Sequence, residues 1–129
     1  MLKILVVDDS ETVRLKISQL LKQLGHKVLE AENGIVALEV LRGNPDLELC
    51  ICDINMPEMD GLTFVEEVRK KNDETKDLTF FMCTTETSKA HRDKAKSLGV
   101  RGWIHKPYKD SQIIHLVEFM VKELLGDTA

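Results

Sequence analysis

The sequence predicts an α/β fold: a single doubly wound (βα)5 domain with five parallel strands and helices on both faces. Three observations carry this. Short apolar runs recur along the 129 residues, each about the length of a buried strand. Between them, apolar residues recur at helical spacing. The connections are short, and strands that alternate with helices pair in parallel beneath them.

The elements follow in order. Leu2–Val7 is apolar except for Lys3, as expected of a strand buried on both faces. Ser10 is placed to cap the next helix. Its apolar face is Val13, Ile17, Leu20, Leu21 and Leu24, and Gly25 ends it. Lys27–Ala31 is a short strand, and Asn33-Gly34 is expected to form a turn. Val36, Ala37, Val40 and Leu41 mark a second helix, stopped by Gly43 and Pro45. Leu47–Cys52 is the third strand, and a loop over Met56–Gly61 leads to a helix that faces Phe64, Val65 and Val68 inward. Leu78–Cys83 is the fourth strand. Ser88–Leu98 is a weakly amphipathic helix ended by Gly99. Gly102–His105 is the fifth strand. Ile113, Ile114, Leu116, Val117, Met120, Val121 and Leu124 mark the last helix. One domain over residues 1–129 is expected, with no effector domain after it.

Composition narrows the function. Hydrophobic residues make up 43% and charged residues 31%, ordinary for a globular protein. A net charge of −4 argues against direct DNA binding, which needs a concentrated basic face. The N-terminus lacks the pattern of a signal peptide, and no apolar stretch approaches the ~20 residues that span a bilayer. Cys50, Cys52 and Cys83 fall in strand patterns without zinc-ligand spacing and read as small core residues. An odd number of cysteines makes no disulfide framework, so a cytoplasmic location is expected. His26, His91, His105 and His115 are scattered without ligand spacing.

Chemistry gathers at the strand ends. Asp8-Asp9 follows the first strand, Asp53 the third, Thr84 the fourth and Lys106-Pro107 the fifth. In an open α/β sheet such groups meet outside the carboxyl ends of the strands. Three crowded acids repel, which raises their proton affinity unless a cation joins them. An all-oxygen set of this kind suits Mg²⁺. Asp53 is the candidate nucleophile, since a carboxylate can accept a phosphoryl group as an aspartyl-phosphate. Lys106 offers a point charge and Thr84 a hydroxyl to the phosphoryl oxygens.

Val6-Val7-Asp8-Asp9-Ser10, the run Asp53-Ile54-Asn55-Met56-Pro57-Glu58-Met59-Asp60-Gly61, then Thr84, then Lys106-Pro107 resemble the receiver domain of two-component response regulators. The resemblance spans the chain and is strongest to the stand-alone chemotaxis members. It implies the flavodoxin-like strand order 2-1-3-4-5, a known property of those regulators. It implies Asp53 as phosphorylation site, with Mg²⁺ held by Asp8, Asp9, Asp53 and the backbone carbonyl of Asn55. Thr84 and Lys106 would sense the phosphoryl group. The implied activity is a switch that catalyses only its own phosphorylation and dephosphorylation and is otherwise no enzyme. The implied partners are a histidine kinase and a downstream protein, either a flagellar switch or a phosphotransferase. The implied partner surface is the fourth helix, fifth strand and fifth helix, here carrying Lys89, Arg92, Lys96, Arg101 and Trp103.

Two positions depart from the pattern. Trp103 stands where the family usually has Tyr or Phe, so it reads either as a packed ring or as a switch. Thr85 stands where Ala is common, which narrows access to the pocket. The basic stripe Lys89, Arg92 and Lys96 reads either as a solvated face or as a docking face for an acidic partner. Other functions fit the same sheet. A phosphorelay intermediate, passing phosphate to a second His protein, needs the same pocket. An aspartyl-phosphate hydrolase needs a second acid two residues after the nucleophile, where this chain has Asn55. A flavin site needs a phosphate-binding loop after the first strand, where Asp8-Asp9 would repel phosphate.

Overall fold

The computed structural model describes residues 1–126. The expected domain extends to 129, and residues 127–129 lie outside the described residues. The elements are β1 (Lys3–Val7), α1 (Glu11–Gln23), β2 (Lys27–Ala31), α2 (Gly34–Gly43), β3 (Leu49–Cys52) and α3 (Gly61–Arg69). A short 3-10 helix (Glu74–Asp77), β4 (Thr79–Thr84), α4 (Lys89–Ser97), β5 (Gly102–His105) and α5 (Asp110–Leu125) complete them. All strands are parallel, in the order β2-β1-β3-β4-β5. The expected fold and strand order are both present.

Strand alternation sorts the core into two layers. Ile4 and Val6 of β1, Leu49 and Ile51 of β3, and Phe81 and Cys83 of β4 face α1 and α5. Leu5, Val7, Cys50, Cys52, Phe80 and Met82 face the side of α2, α3 and α4. Ile17 and Leu21 close the first layer, and Val117 and Met120 join them. In the second, Phe64 meets Phe80 edge to face with centroids 5.5 Å apart. At the end of the sheet away from the site, Arg69 ties three elements together. Its Nε donates to the Leu98 carbonyl (2.7 Å) and its Nη1 to the Leu78 carbonyl (2.8 Å).

Side-chain caps start most helices: Ser10 accepts from the Val13 N–H, Asn33 from Val36, Asp60 from Thr63 and Ser88 from His91. The structure departs from the sequence pattern at several places. Asn33-Gly34 is not a separate turn, because Asn33 is the cap of α2 and Gly34 its first residue. β4 begins at Thr79 rather than Leu78 and includes Thr84. The 3-10 helix before it carries no apolar periodicity and was not expected; Asp73 caps it. Leu24 and Leu124 are exposed because they lie at or beside helix ends, clear of the sheet. The buried cysteines are free thiols. Burial pushes the Cys83 thiol up to about 12 and raises that of Cys52, so both stay protonated core fillers.

Candidate functional site

The strand register delivers the site. Val7 lies opposite Ala31 and Cys52, Cys52 opposite Met82, and Thr84 opposite His105. The ladder runs one residue further at three places. The Asp8 N–H donates to the Ala31 carbonyl (3.1 Å), the Asp53 N–H to Val7 (2.9 Å) and the Lys106 N–H to Thr84 (2.9 Å). Backbone hydrogen bonds therefore fix the main chain of Asp8, Asp53 and Lys106 independently of their side-chain contacts.

The side chains converge as the sequence predicts. Asp8, Asp9 and Asp53 each place a carboxylate oxygen so that all three lie within 4.8 Å of one another. Asp8 is 2% exposed and Asp53 8%, whereas Asp9 is exposed. The cluster is thus walled on two sides and open on the third. Lys106 Nζ bridges the buried pair, 2.6 Å from Asp8 Oδ2 and 3.1 Å from Asp53 Oδ2. The remaining oxygens are steered by backbone: Ser10 N–H donates to Asp8 Oδ1 (2.9 Å) and Ile54 N–H to Asp53 Oδ1 (2.6 Å).

Electrostatics set the protonation states. Burial would lower the Lys106 pKa, but its hydrogen bonds and proximity to Asp8 and Asp53 outweigh it and raise the value, so the ammonium stays charged. Burial raises the Asp8 pKa in spite of Lys106 and the Ser10 N–H. Folding therefore shifts Asp8 toward its protonated form relative to the unfolded chain. Its contribution to stability is present below the unfolded value of 3.8 and is lost as pH rises through the higher folded value. Ionised Asp8 is then a burden at neutral pH without a divalent cation. Asp8→Asn is expected to raise the metal-free melting temperature at pH 7 and to flatten its acid-side pH dependence. A lower melting temperature with an unchanged pH profile would refute this.

Thr84 is fully buried and its Oγ1 accepts the Glu86 N–H (3.2 Å), leaving its own proton to donate. Asn55 is exposed, and its side chain reaches Glu86 Oε2 (3.5 Å). Three residues with no assigned role in the motif reading complete the surroundings. Glu86 spans the rim, with its carboxylate also accepting the Ser88 N–H (3.0 Å), which holds its pKa below the usual range. Gly61 lies against the Asp53 backbone, where a Cβ would stand 1.9 Å from the Asp53 carbonyl oxygen. Arg14 reaches the Asp8 carbonyl (2.8 Å). Only Gly61 had a sequence signal, its place in the loop motif; the other two act through backbone atoms that no spacing rule displays.

The matching family model is the response regulator receiver domain, over residues 4–118. The chain belongs to this family. It is 46% identical to chemotaxis protein CheY1 of Helicobacter pylori over 108 residues, covering 83% of this chain and 86% of that protein. It is 45% identical to a chemotaxis protein CheY homolog of Campylobacter jejuni, covering 83% and 82%. Among solved structures, chemotaxis protein CheY4 of Vibrio cholerae superposes with a TM-score of 0.85 at 34% identity, covering 92% and 98%. As a receiver domain, the chain is a module of phosphorylation-dependent two-component signalling. The three-carboxylate cluster fits the acidic Mg²⁺ pocket of such domains, because its donors are all hard oxygens and one side is open to solvent. No described helix is long and apolar enough to cross a membrane.

The surface beyond the pocket is less uniform than the sequence suggests. Trp103 is half-buried opposite Met82, on the same sheet face as Thr84. The Arg92 guanidinium lies over its ring at 5.0 Å, and its indole Nε1 is buried without a partner among the described residues. Lys89 of the basic stripe pairs with Asp93 (2.7 Å), and Arg101, outside the stripe, with Glu123 (3.3 Å), so part of the positive charge on this surface is already neutralised. An open groove of about 620 Å³ runs between β5 and α5, lined by Trp103, His115 and Phe119 among others.

Proposed function

We propose that Asp53 accepts a phosphoryl group from a histidine kinase, and that the modified domain presents a changed surface to a downstream protein. The observation that carries this is the Asp53 carboxylate at the end of β3, within 4.8 Å of the Asp8 and Asp9 oxygens and 3.1 Å from Lys106 Nζ. In the transfer, a carboxylate oxygen of Asp53 forms the new P–O bond while the bond from phosphorus to the donor breaks. Asp8, Asp9, Asp53 and the Asn55 backbone carbonyl would hold Mg²⁺, which supplies neutralisation of the charge on the phosphoryl oxygens. Lys106 gives up its bond to Asp53 for a phosphoryl oxygen, and Thr84 turns its free proton toward another. Apart from its own phosphorylation and dephosphorylation, the domain turns over no substrate. Chemotaxis is the process favoured, on the names of its relatives.

Thr84 connects the pocket to the partner surface. It shares a sheet face with Trp103, and a turn of its side chain toward the phosphoryl group would vacate space near that ring. Trp103 is the only Trp, so its fluorescence reports this region alone. Its intensity or wavelength is expected to change when beryllofluoride saturates the protein in Mg²⁺, and not to change in Asp53→Asn. A shift from about 1% to about 99% active needs roughly 5.5 kcal/mol of differential stabilisation, so partial switching is expected. A spectrum that stays still with Asp53 occupied removes the ring from the mechanism. A response that persists in Asp53→Asn overturns the assignment of the acceptor.

A further inference from the structure

We propose that Arg14, neutralised by Glu30, is the positioning residue of the Asp8-Asp9 pair: it locks the peptide plane from which both carboxylates reach the cation site. This rests on the Mg²⁺ reading of that site given above. Arg14 lies in the first turns of α1 and its side chain is 15% exposed. Nη1 donates to the Asp8 backbone carbonyl (2.8 Å), and Nε donates to Glu30 Oε1 (3.0 Å) on β2. The Asp8 N–H donates in turn to the Ala31 carbonyl. Asp8 is therefore gripped by its main chain from both sides, just beyond the end of β1.

The consequence follows from peptide planarity. The Asp8 carbonyl and the Asp9 N–H belong to one rigid plane. Holding the carbonyl holds the plane, and with it the direction in which Asp9 leaves the strand. Two carboxylates on consecutive residues aim at one point only over a narrow range of that rotation. Asp8 has Ser10 and Lys106 to orient its side chain. Asp9 is exposed, so its placement depends on the backbone.

The chemistry of the pair fits this role. A guanidinium reaches two acceptors at a fixed angle through one planar fork, which an ammonium cannot do. Its permanent charge beside a divalent-cation site would be repulsive unless cancelled, and Glu30 cancels it. The partly buried ion pair adds to stability, but that role alone does not call for a guanidinium that also reaches the Asp8 carbonyl.

The test uses the full chain. Mg²⁺ affinity is measured by calorimetry, together with melting temperature and the order parameter of the Asp9 amide from NMR relaxation. Arg14→Met keeps the aliphatic stem. It is expected to weaken Mg²⁺ about tenfold, in the range found when partners that orient metal ligands are removed. The Asp9 order parameter should fall while the metal-free melting temperature drops only modestly, and Arg14→Lys should fail to restore affinity. Glu30→Gln keeps a hydrogen-bond acceptor for Nε but leaves the charge uncancelled. Its weakening should shrink as salt is added, whereas that of Arg14→Met should not. Unchanged affinity in Arg14→Met, or affinity restored by Arg14→Lys, overturns the proposal. A wild-type protein that binds no Mg²⁺ overturns instead the reading of the site on which it rests.

Discussion

Gly61→Ala should damage the site more than any other single methyl addition near it. The new Cβ would meet the Asp53 carbonyl oxygen at 1.9 Å and the Asp53 carbonyl carbon at 2.9 Å. Neither is the end of a flexible side chain; both are backbone of the residue that does the chemistry. The Gly61 N–H also donates to the Ile54 carbonyl (2.9 Å), which pins the start of α3 to the end of β3. Relief therefore requires the helix or the Asp53 loop to move. Overpacking of this kind costs about 3 kcal/mol, near the upper end of its usual range. For a domain of this size that lowers the melting temperature by roughly 10 °C. Misplacing Asp53 by about 1 Å would slow phosphoryl uptake on the order of a hundredfold. Thermal melts and uptake from acetyl phosphate check both effects, and a variant unchanged in both would show that the close approach is not required.

Lys106→Ala should separate stability, metal binding and response. In the metal-free chain Lys106 Nζ joins Asp8 Oδ2 and Asp53 Oδ2 at 2.6 and 3.1 Å. Removing it leaves two buried carboxylates with no cation between them, and breaking a buried pair from one side costs about 3 kcal/mol. Mg²⁺ should restore more stability to this variant than to the wild type, because the competing ammonium is gone and binding to the folded state alone stabilises it. Asp53 should still take up phosphate. The Trp103 signal should weaken, because the ammonium no longer draws the end of β5 toward the phosphoryl oxygens. Loss of all phosphate uptake with Mg²⁺ binding intact would contradict this division of roles.

The parts of this molecule that could be read from sequence are those that burial writes as a pattern. β1, β3 and β4 are covered on both faces, so their runs are almost wholly apolar, and the residues at their ends mark the carboxyl edge. That placed Asp8, Asp9, Asp53, Thr84 and Lys106 around one point. The features that escaped depend on backbone atoms or on competing local signals. Asn33-Gly34 has the composition of a turn, yet the Asn33 side chain finds the Val36 N–H and starts a helix instead. The 3-10 helix at Glu74–Asp77 is polar and too short for periodicity. Arg14 and Glu86 act on a backbone carbonyl and through a backbone N–H, and neither contact has a spacing that betrays it. The basic stripe was visible, and the i,i+4 spacing of Lys89 and Asp93 allows their pairing, but the pairing of Arg101 with Glu123 depends on how α5 packs beside β5.

In the proposed switch Asp53 is the one acceptor, acting with Mg²⁺ at the Asp8, Asp9 and Asp53 cluster. Intact-mass measurement after incubation with acetyl phosphate, followed by peptide mapping, addresses it most directly. One phosphoryl group per chain should appear, on the peptide that carries Asp53, and it should vanish when Mg²⁺ is chelated and in Asp53→Asn. Uptake that persists in Asp53→Asn, that needs no Mg²⁺, or that maps to another residue would contradict the account.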